Sequence, residues 1–217
     1  EGADIVLATD PDADRMGIAV RDNDGRMVQF NGNQTGALLT YYILTRWKEL
    51  GKLNEGTYVV KTIVTSELIR SMVAECAAWA LDKGMTLYQL MQKIYSEYGY
   101  RKEGLTSLVR KGKSGAEEIQ QIMADMRQNP PKDLIGSPVV KVVDYLKTEE
   151  TGLPSSNVLQ FFDEAGDVVS VRPSGTEPKI KFYIEVKDES MKTAADYDRC
   201  LKAANERIEA IKQSLNL

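Results

Sequence analysis

The pattern of apolar and polar positions divides the chain into short strand-like and longer helix-like stretches. Asp4-Ile-Val-Leu-Ala-Thr9 is an apolar, β-prone run bounded by acidic residues, which predicts a buried strand over residues 4–9. Residues 16–20 predict a second strand, and Asp22-Asn-Asp-Gly25 a turn into a returning strand at Met27–Phe30. Residues 33–50 predict a helix, capped by Asn33 and ended by Gly51. Tyr58–Val64 predicts another buried strand, and residues 66–81 a helix. Thr86 can cap a further helix to about Tyr98, with Leu87, Leu90, Met91 and Ile94 as its core-facing stripe.

The C-terminal half has a different rhythm. Ser114-Gly-Ala-Glu117 reads as a capping box opening a helix to about Gln128. Asn129-Pro-Pro-Lys-Asp133 ends it. Strands at 139–145, 157–162, 168–172 and 180–186 predict a meander, with a hairpin turn at Asp163–Asp167. A last helix, about 190–215, repeats apolar residues at Tyr197, Leu201, Ala204, Ile208, Ile211 and Leu215. A sheet covered by helices can bury its own core, so this half is expected to be an α+β domain that folds alone. Residues 1–30 are expected to expose strand edges open to self-association.

Two loops carry candidate chemistry. Asp10-Pro-Asp-Ala-Asp-Arg15 places three carboxylates at alternate positions, followed by a guanidinium. Like charges about 4 Å apart cost roughly 1 kcal/mol per pair in water and about 4 at an effective dielectric of 20. A divalent cation removes that penalty, and carboxylate oxygens suit a hard ion such as Mg²⁺. An EF-hand is excluded, because the positions that need Gly and Glu hold Arg15 and Arg21. Arg172-Pro-Ser-Gly-Thr-Glu-Pro-Lys179 sits between two strand-like runs. It offers hydroxyls, a glycine that admits a ligand to the backbone, a guanidinium fork and an ammonium, which are the parts of a phosphate cradle. Gly112-Lys-Ser114 is not a nucleotide P-loop, since Ser107 stands where that motif needs its first glycine.

Composition narrows the remaining choices. The 217 residues carry a formal charge of −4 and a pI near 5.1, so neither a nucleic-acid footprint nor such a partner is expected. The longest apolar run, Cys76–Leu81, is far short of a membrane span. Two distant cysteines predict a reduced, cytoplasmic protein. With no histidine, Ser-His triads and His-ligated zinc are excluded within the chain.

Together, the two loops resemble the metal loop and the C-terminal phosphate loop of the α-D-phosphohexomutases, in the phosphoglucomutase/phosphomannomutase branch. Gly32-Asn-Gln-Thr-Gly36 and Lys61-Thr-Ile-Val-Thr-Ser66 also look like this branch. The resemblance implies an enzyme that interconverts hexose 1- and 6-phosphates through a phosphoserine and a bisphosphate intermediate. It implies that Asp10, Asp12 and Asp14 hold Mg²⁺ and that Arg15 is the catalytic contact to the transferring phosphoryl group. Arg172, Ser174, Gly175, Thr176 and Lys179 would grip the substrate phosphate. The implied fold is an α/β remnant of mutase domains 2 and 3 followed by the α+β C-terminal domain, an antiparallel sheet covered by helices. The implied boundaries are 1–30 for the end of domain 2 with the metal loop, 31–98 for a shortened domain 3, and 99–217 for the phosphate-binding domain. The family's phosphoserine loop has no counterpart here. Its sugar-recognition loop should fall between Glu67 and Trp79 and does not, which implies an internal gap near Val73–Ala77. Glu149-Glu-Thr-Gly152 only superficially resembles that loop. The chain alone is therefore expected to be catalytically incomplete, with a non-catalytic sugar-phosphate-binding module as the alternative.

Overall fold

The computed structural model describes residues 2–9, 16–54, 57–75, 87–110, 112–175 and 177–217, in two compact units. The first comprises residues 1–100 with 189–197, and the second 101–188 with 198–217.

In the first unit, β1 (Ile5–Thr9), β2 (Met16–Arg21) and β3 (Met27–Phe30) form an antiparallel sheet in that order. Asp22 builds the second turn by accepting from the Asp24 and Arg26 amides. The expectation of a buried first strand fails. Every residue of β1 is exposed, Leu7 at 60%: among the described residues its one strand neighbour is β2, and strand pairing satisfies the backbone without covering the side-chain faces. Helix α1 (Gly32–Glu49) starts earlier than expected and is capped by Asn31, not Asn33. Asn31 accepts from the Gln34 amide, and the Gln34 side chain accepts from the Asn31 amide in return. Ala37, Leu38, Tyr41 and Leu44 bury one side of α1, against α2 (Glu67–Glu75) and α3 (Leu87–Tyr98). Leu39, Tyr42, Ile43 and Trp47 lie exposed on another.

Tyr58–Val64 is not a strand. Tyr58 is 82% exposed, and no described strand runs beside the segment to take its backbone groups. Helix α2 is as expected to Glu75; the Thr86 cap and residues 76–85 lie outside the described residues. Met91 and Ile94 of the expected stripe are buried, and Leu90 is half-buried. Tyr95 packs edge-on against Tyr100 at 4.7 Å between ring centroids, and Tyr100 against Tyr197 at 5.7 Å.

The second unit is built on a six-stranded sheet. Its strands are β4 (Tyr100–Val109), β5 (Asp133–Leu134), β6 (Ser137–Asp144), β7 (Leu159–Asp163), β8 (Val168–Pro173) and β9 (Lys179–Asp188). The order is β4-β9-β8-β7-β6-β5, so the meander is as expected, while β4 was not legible as a strand. Helix α4 (Gly112–Gln128) lies against β8 and β9, and begins two residues before the expected cap Ser114. The four-residue helix α5 (Thr148–Thr151) follows β6. Helix α6 (Tyr197–Ser214) starts later than expected, after a single 3-10 turn at Ala194–Asp196. Its buried face is Cys200, Ala204, Ile208 and Ile211 rather than one running through Leu201.

Register divides the sheet's two faces. Leu159 and Phe161, Val169 and Val171, and Ile180, Phe182 and Ile184 lie on one face and are buried. The opposite face is also covered but polar. Gln160 donates to the Ser170 hydroxyl at 2.8 Å and accepts from Tyr145 at 2.7 Å. Buried Arg101 pairs with Glu185. A buried polar group is tolerable only when paired in this way.

Asp163 and Asp167, both fully buried, share one guanidinium, that of Arg207. Asp167 also accepts from the Lys187 amide at 2.8 Å. Burial, aided by the neighbouring Asp163 charge, pushes the Asp167 carboxyl above its ordinary 3.8 despite the donors facing it. The folded chain therefore holds this proton more tightly than the unfolded one. The group's stabilisation is fully present below pH 3.8 and is lost as pH rises through the raised value. We expect the stability of the wild type relative to Asp167→Asn, measured by urea unfolding, to fall as pH rises through that window. A relative stability that climbs with pH contradicts it.

Candidate phosphate-binding loop

Strands β8 and β9 determine the geometry of the loop between them. Their register places Arg172 opposite Lys181 and Pro173 opposite Ile180. The Ser174 amide then donates to the Lys179 carbonyl at 2.8 Å, and the Lys179 amide to the Glu177 carbonyl at 2.7 Å. Arg172, Ser174, Gly175 and Lys179 are thus gathered at one end of the sheet; Thr176 lies outside the described residues. Arg172 is exposed, and Ser174 and Lys179 are half-buried. A side chain built at Gly175 would meet no atom within 4 Å. Neither crowding nor a left-handed backbone explains that glycine.

Glu177 is the loop's own acid. Its carboxylate pairs with the Lys179 ammonium. That hydrogen bond and charge, with Lys181 adding to them, hold the Glu177 carboxyl below its ordinary 4.5.

The loop is also tied from behind. The Arg110 amide, just past the end of β4, donates to the Pro178 carbonyl at 2.9 Å. Gly112, at φ 71°, turns the chain into α4. Gly115 in the first turn of that helix lies close against Arg110, so that an added Cβ would fall 2.6 Å from the Arg110 Cβ. The Arg110 guanidinium reaches along α4 to Glu118 at 3.0 Å. None of Arg110, Gly115 and Glu177 was legible as a site residue. The bond to Pro178 joins positions 68 apart in sequence, and no local pattern signals it.

The acidic loop can be placed only by its ends. Thr9 stands opposite Met16 in the β1–β2 register, so adjacent strands hold both ends of the segment. Asp10, Asp12, Asp14 and Arg15 themselves lie outside the described residues. Among the described residues no cluster of three or more acidic or thiol side chains is arranged to hold a metal. The other two segments singled out in the sequence do meet in the first unit. Asn33 accepts from the Ser66 amide at 3.0 Å, and the Ser66 hydroxyl accepts from the Leu68 amide at 3.1 Å. Lys61 bonds the Thr65 carbonyl at 3.0 Å and Glu67 at 2.6 Å. Glu149 and Glu150, by contrast, are exposed residues of α5, Thr151 is half-buried there, and Gly152 is its C-cap.

Residues 107–197 match the family model for the phosphoglucomutase/phosphomannomutase C-terminal domain. That span contains α4, β8, the loop and β9. The chain is 31% identical to the phosphoglucomutase of Staphylococcus aureus strain MRSA252, over 254 aligned residues. This chain belongs to the phosphohexomutase family. The alignment covers 85% of the chain and 45% of that relative; the phosphoglucomutase of strain MSSA476 is 30% identical over the same shares. The chain thus spans under half the length of the relatives it matches. The aligned stretch also exceeds the chain's 217 residues, so the relative carries internal residues without a counterpart here. The solved open form of pp63/parafusin, a phosphoglucomutase from Paramecium, is 14% identical, with a TM-score of 0.46 over 97% of this chain and 46% of that one. That overlap is too loose to add to the family assignment. No described helix of the chain is long and apolar enough to cross a membrane.

Gly115→Ala should separate helix from strand end. Alanine gains up to about 1 kcal/mol of helix propensity, while overpacking against Arg110 costs roughly 1–3. Net destabilisation in urea unfolding, with faster amide exchange at Ser174 and Lys179, is the expected result. Unchanged exchange at both amides would show that the α4 corner does not hold the loop.

Proposed function

We propose that this chain supplies the phosphate-gripping and metal-holding parts of a phosphohexomutase acting on hexose phosphates. The observation that carries the reading is the β8–β9 loop. It gathers an exposed guanidinium, a hydroxyl, an ammonium and an unobstructed glycine backbone. Arg172 is the bidentate donor, Ser174 and Thr176 give hydroxyls, Gly175 admits the phosphate to the backbone, and Lys179 gives a point charge. Their task is to hold the phosphate that does not react, so that the other end of the sugar is presented to the chemistry. Positioning of this kind, with charge neutralisation, is most of what phosphoryl transfer requires.

Three carboxylates and no nitrogen or sulfur donor form a set suited to Mg²⁺. Asp10, Asp12 and Asp14 would hold that ion, which when bound neutralises charge on the phosphoryl oxygens. Arg15, next in the chain, is assigned to the transferring group. The phosphoryl donor, a phosphoserine in this reading, has no counterpart among the residues assigned here. A sugar-phosphate-binding module without turnover is the second reading, supported by the relative's internal residues that this chain lacks.

Calorimetric titration with glucose 1-phosphate tests the shared part of both readings. Loss of a charge-assisted bidentate contact worth about 1.5–3 kcal/mol predicts roughly ten- to hundredfold weaker binding in Arg172→Ala. Unchanged affinity removes the loop as the phosphate site. Interconversion of glucose 1- and 6-phosphate, assayed with Mg²⁺ and a bisphosphate activator, then separates the two readings: turnover supports the mutase, and binding without turnover the module.

A further inference from the structure

The pairing of Glu177 with Lys179 has a consequence for which anions the loop accepts; it rests on the phosphate reading above. Three cations stand on or beside the loop: Arg172, Lys179 and, opposite Arg172 in the register, Lys181. The loop's own carboxylate, Glu177, is paired with Lys179 and also lies within electrostatic reach of Lys181. The Lys179 amide bond to the Glu177 carbonyl folds the chain so that the two side chains meet. Arg110, on the strand end behind the loop, is separately engaged by Glu118.

An arriving anion therefore meets Lys179 already paired. A singly charged ligand that takes Lys179 replaces one carboxylate by one equal charge. It gains nothing from that cation, and it stands beside the released Glu177. A doubly charged ligand gains from the exchange, because twice the charge faces Lys179, Arg172 and Lys181 while only one carboxylate is released. We propose that Glu177 sets the loop's affinity: its carboxylate is a built-in competitor for Lys179, displaced by the dianion of a phosphate monoester and not by singly charged esters.

Glucose 6-phosphate and glucose 6-sulfate make the comparison, because they differ chiefly in the charge of the ester. Affinities for the full 217-residue chain are measured by calorimetry at a pH well above the second phosphate pKa of about 6. Wild type should prefer the phosphate ester. E177Q should tighten the phosphate ester by about two- to fivefold, the range of an exposed ion pair, because no pair then has to be broken, and the sulfate ester by no more than that. In a Lys179→Met background the same change should tighten the phosphate ester less, since only through-space repulsion is then relieved. A phosphate affinity that is unchanged or weaker in E177Q overturns the proposal, as does a larger gain for the sulfate ester or an equal phosphate gain without Lys179. If wild type binds neither ester, or Arg172→Ala binds glucose 6-phosphate as well as wild type does, the phosphate reading itself falls and the proposal with it. The two failures are distinct, since the first occurs in a chain that binds and the second in one whose loop does not.

Discussion

The antiparallel register of β8 and β9 is the constraint on which the candidate site depends. Pairing Pro173 with Ile180 leaves six residues to return the chain, and the Ser174 to Lys179 hydrogen bond narrows the closure further. A slip of β9 by one residue would turn Phe182 and Ile184 out of the apolar face and carry Lys181 to the side of the sheet away from Arg172. The buried residues thus hold the loop residues in place. The core of this unit and the alignment of its charged groups are one problem, solved by the same pairing.

That pairing is reinforced from a distance. The end of β4 gives the loop a hydrogen bond at Pro178, and α4 can begin there only because Gly115 lets its first turn close onto Arg110. Each contact is small. A single backbone hydrogen bond contributes about 0.5–1.5 kcal/mol. Their importance lies in placement, since tying the loop down in advance lowers the ordering cost of binding.

Much of this was legible in the sequence, and the failures have a common cause. Hairpins and the meander were read correctly, because alternation and turn residues are local signals. The apolar stretches Ile5–Thr9 and Tyr58–Val64 were misread as buried, because apolar character shows a preference for burial and not the presence of a neighbour to provide it. One became an exposed edge strand and the other forms no strand. Strand β4 escaped notice because Arg101-Lys-Glu-Gly104 breaks any apolar pattern, and its buried arginine is explained only by Glu185, 84 residues away. In the loop, the residue types were readable as phosphate chemistry. The role of Glu177, whose effect is to oppose binding, was not, because a list of favourable groups has no place for a competitor.

The polar face of the second unit's sheet bears on how this sequence can change over descent. Gln160 and Ser170 satisfy one another across adjacent strands in a setting with almost no access to water. Losing one partner strands the other at a cost of about 1–3 kcal/mol, whereas replacing both by apolar groups of similar shape is close to neutral. The two positions are thus separated from an apolar alternative by a valley that single substitutions must cross. They can drift only as a couple, with Tyr145, which donates to the same Gln160, as a third party to the exchange.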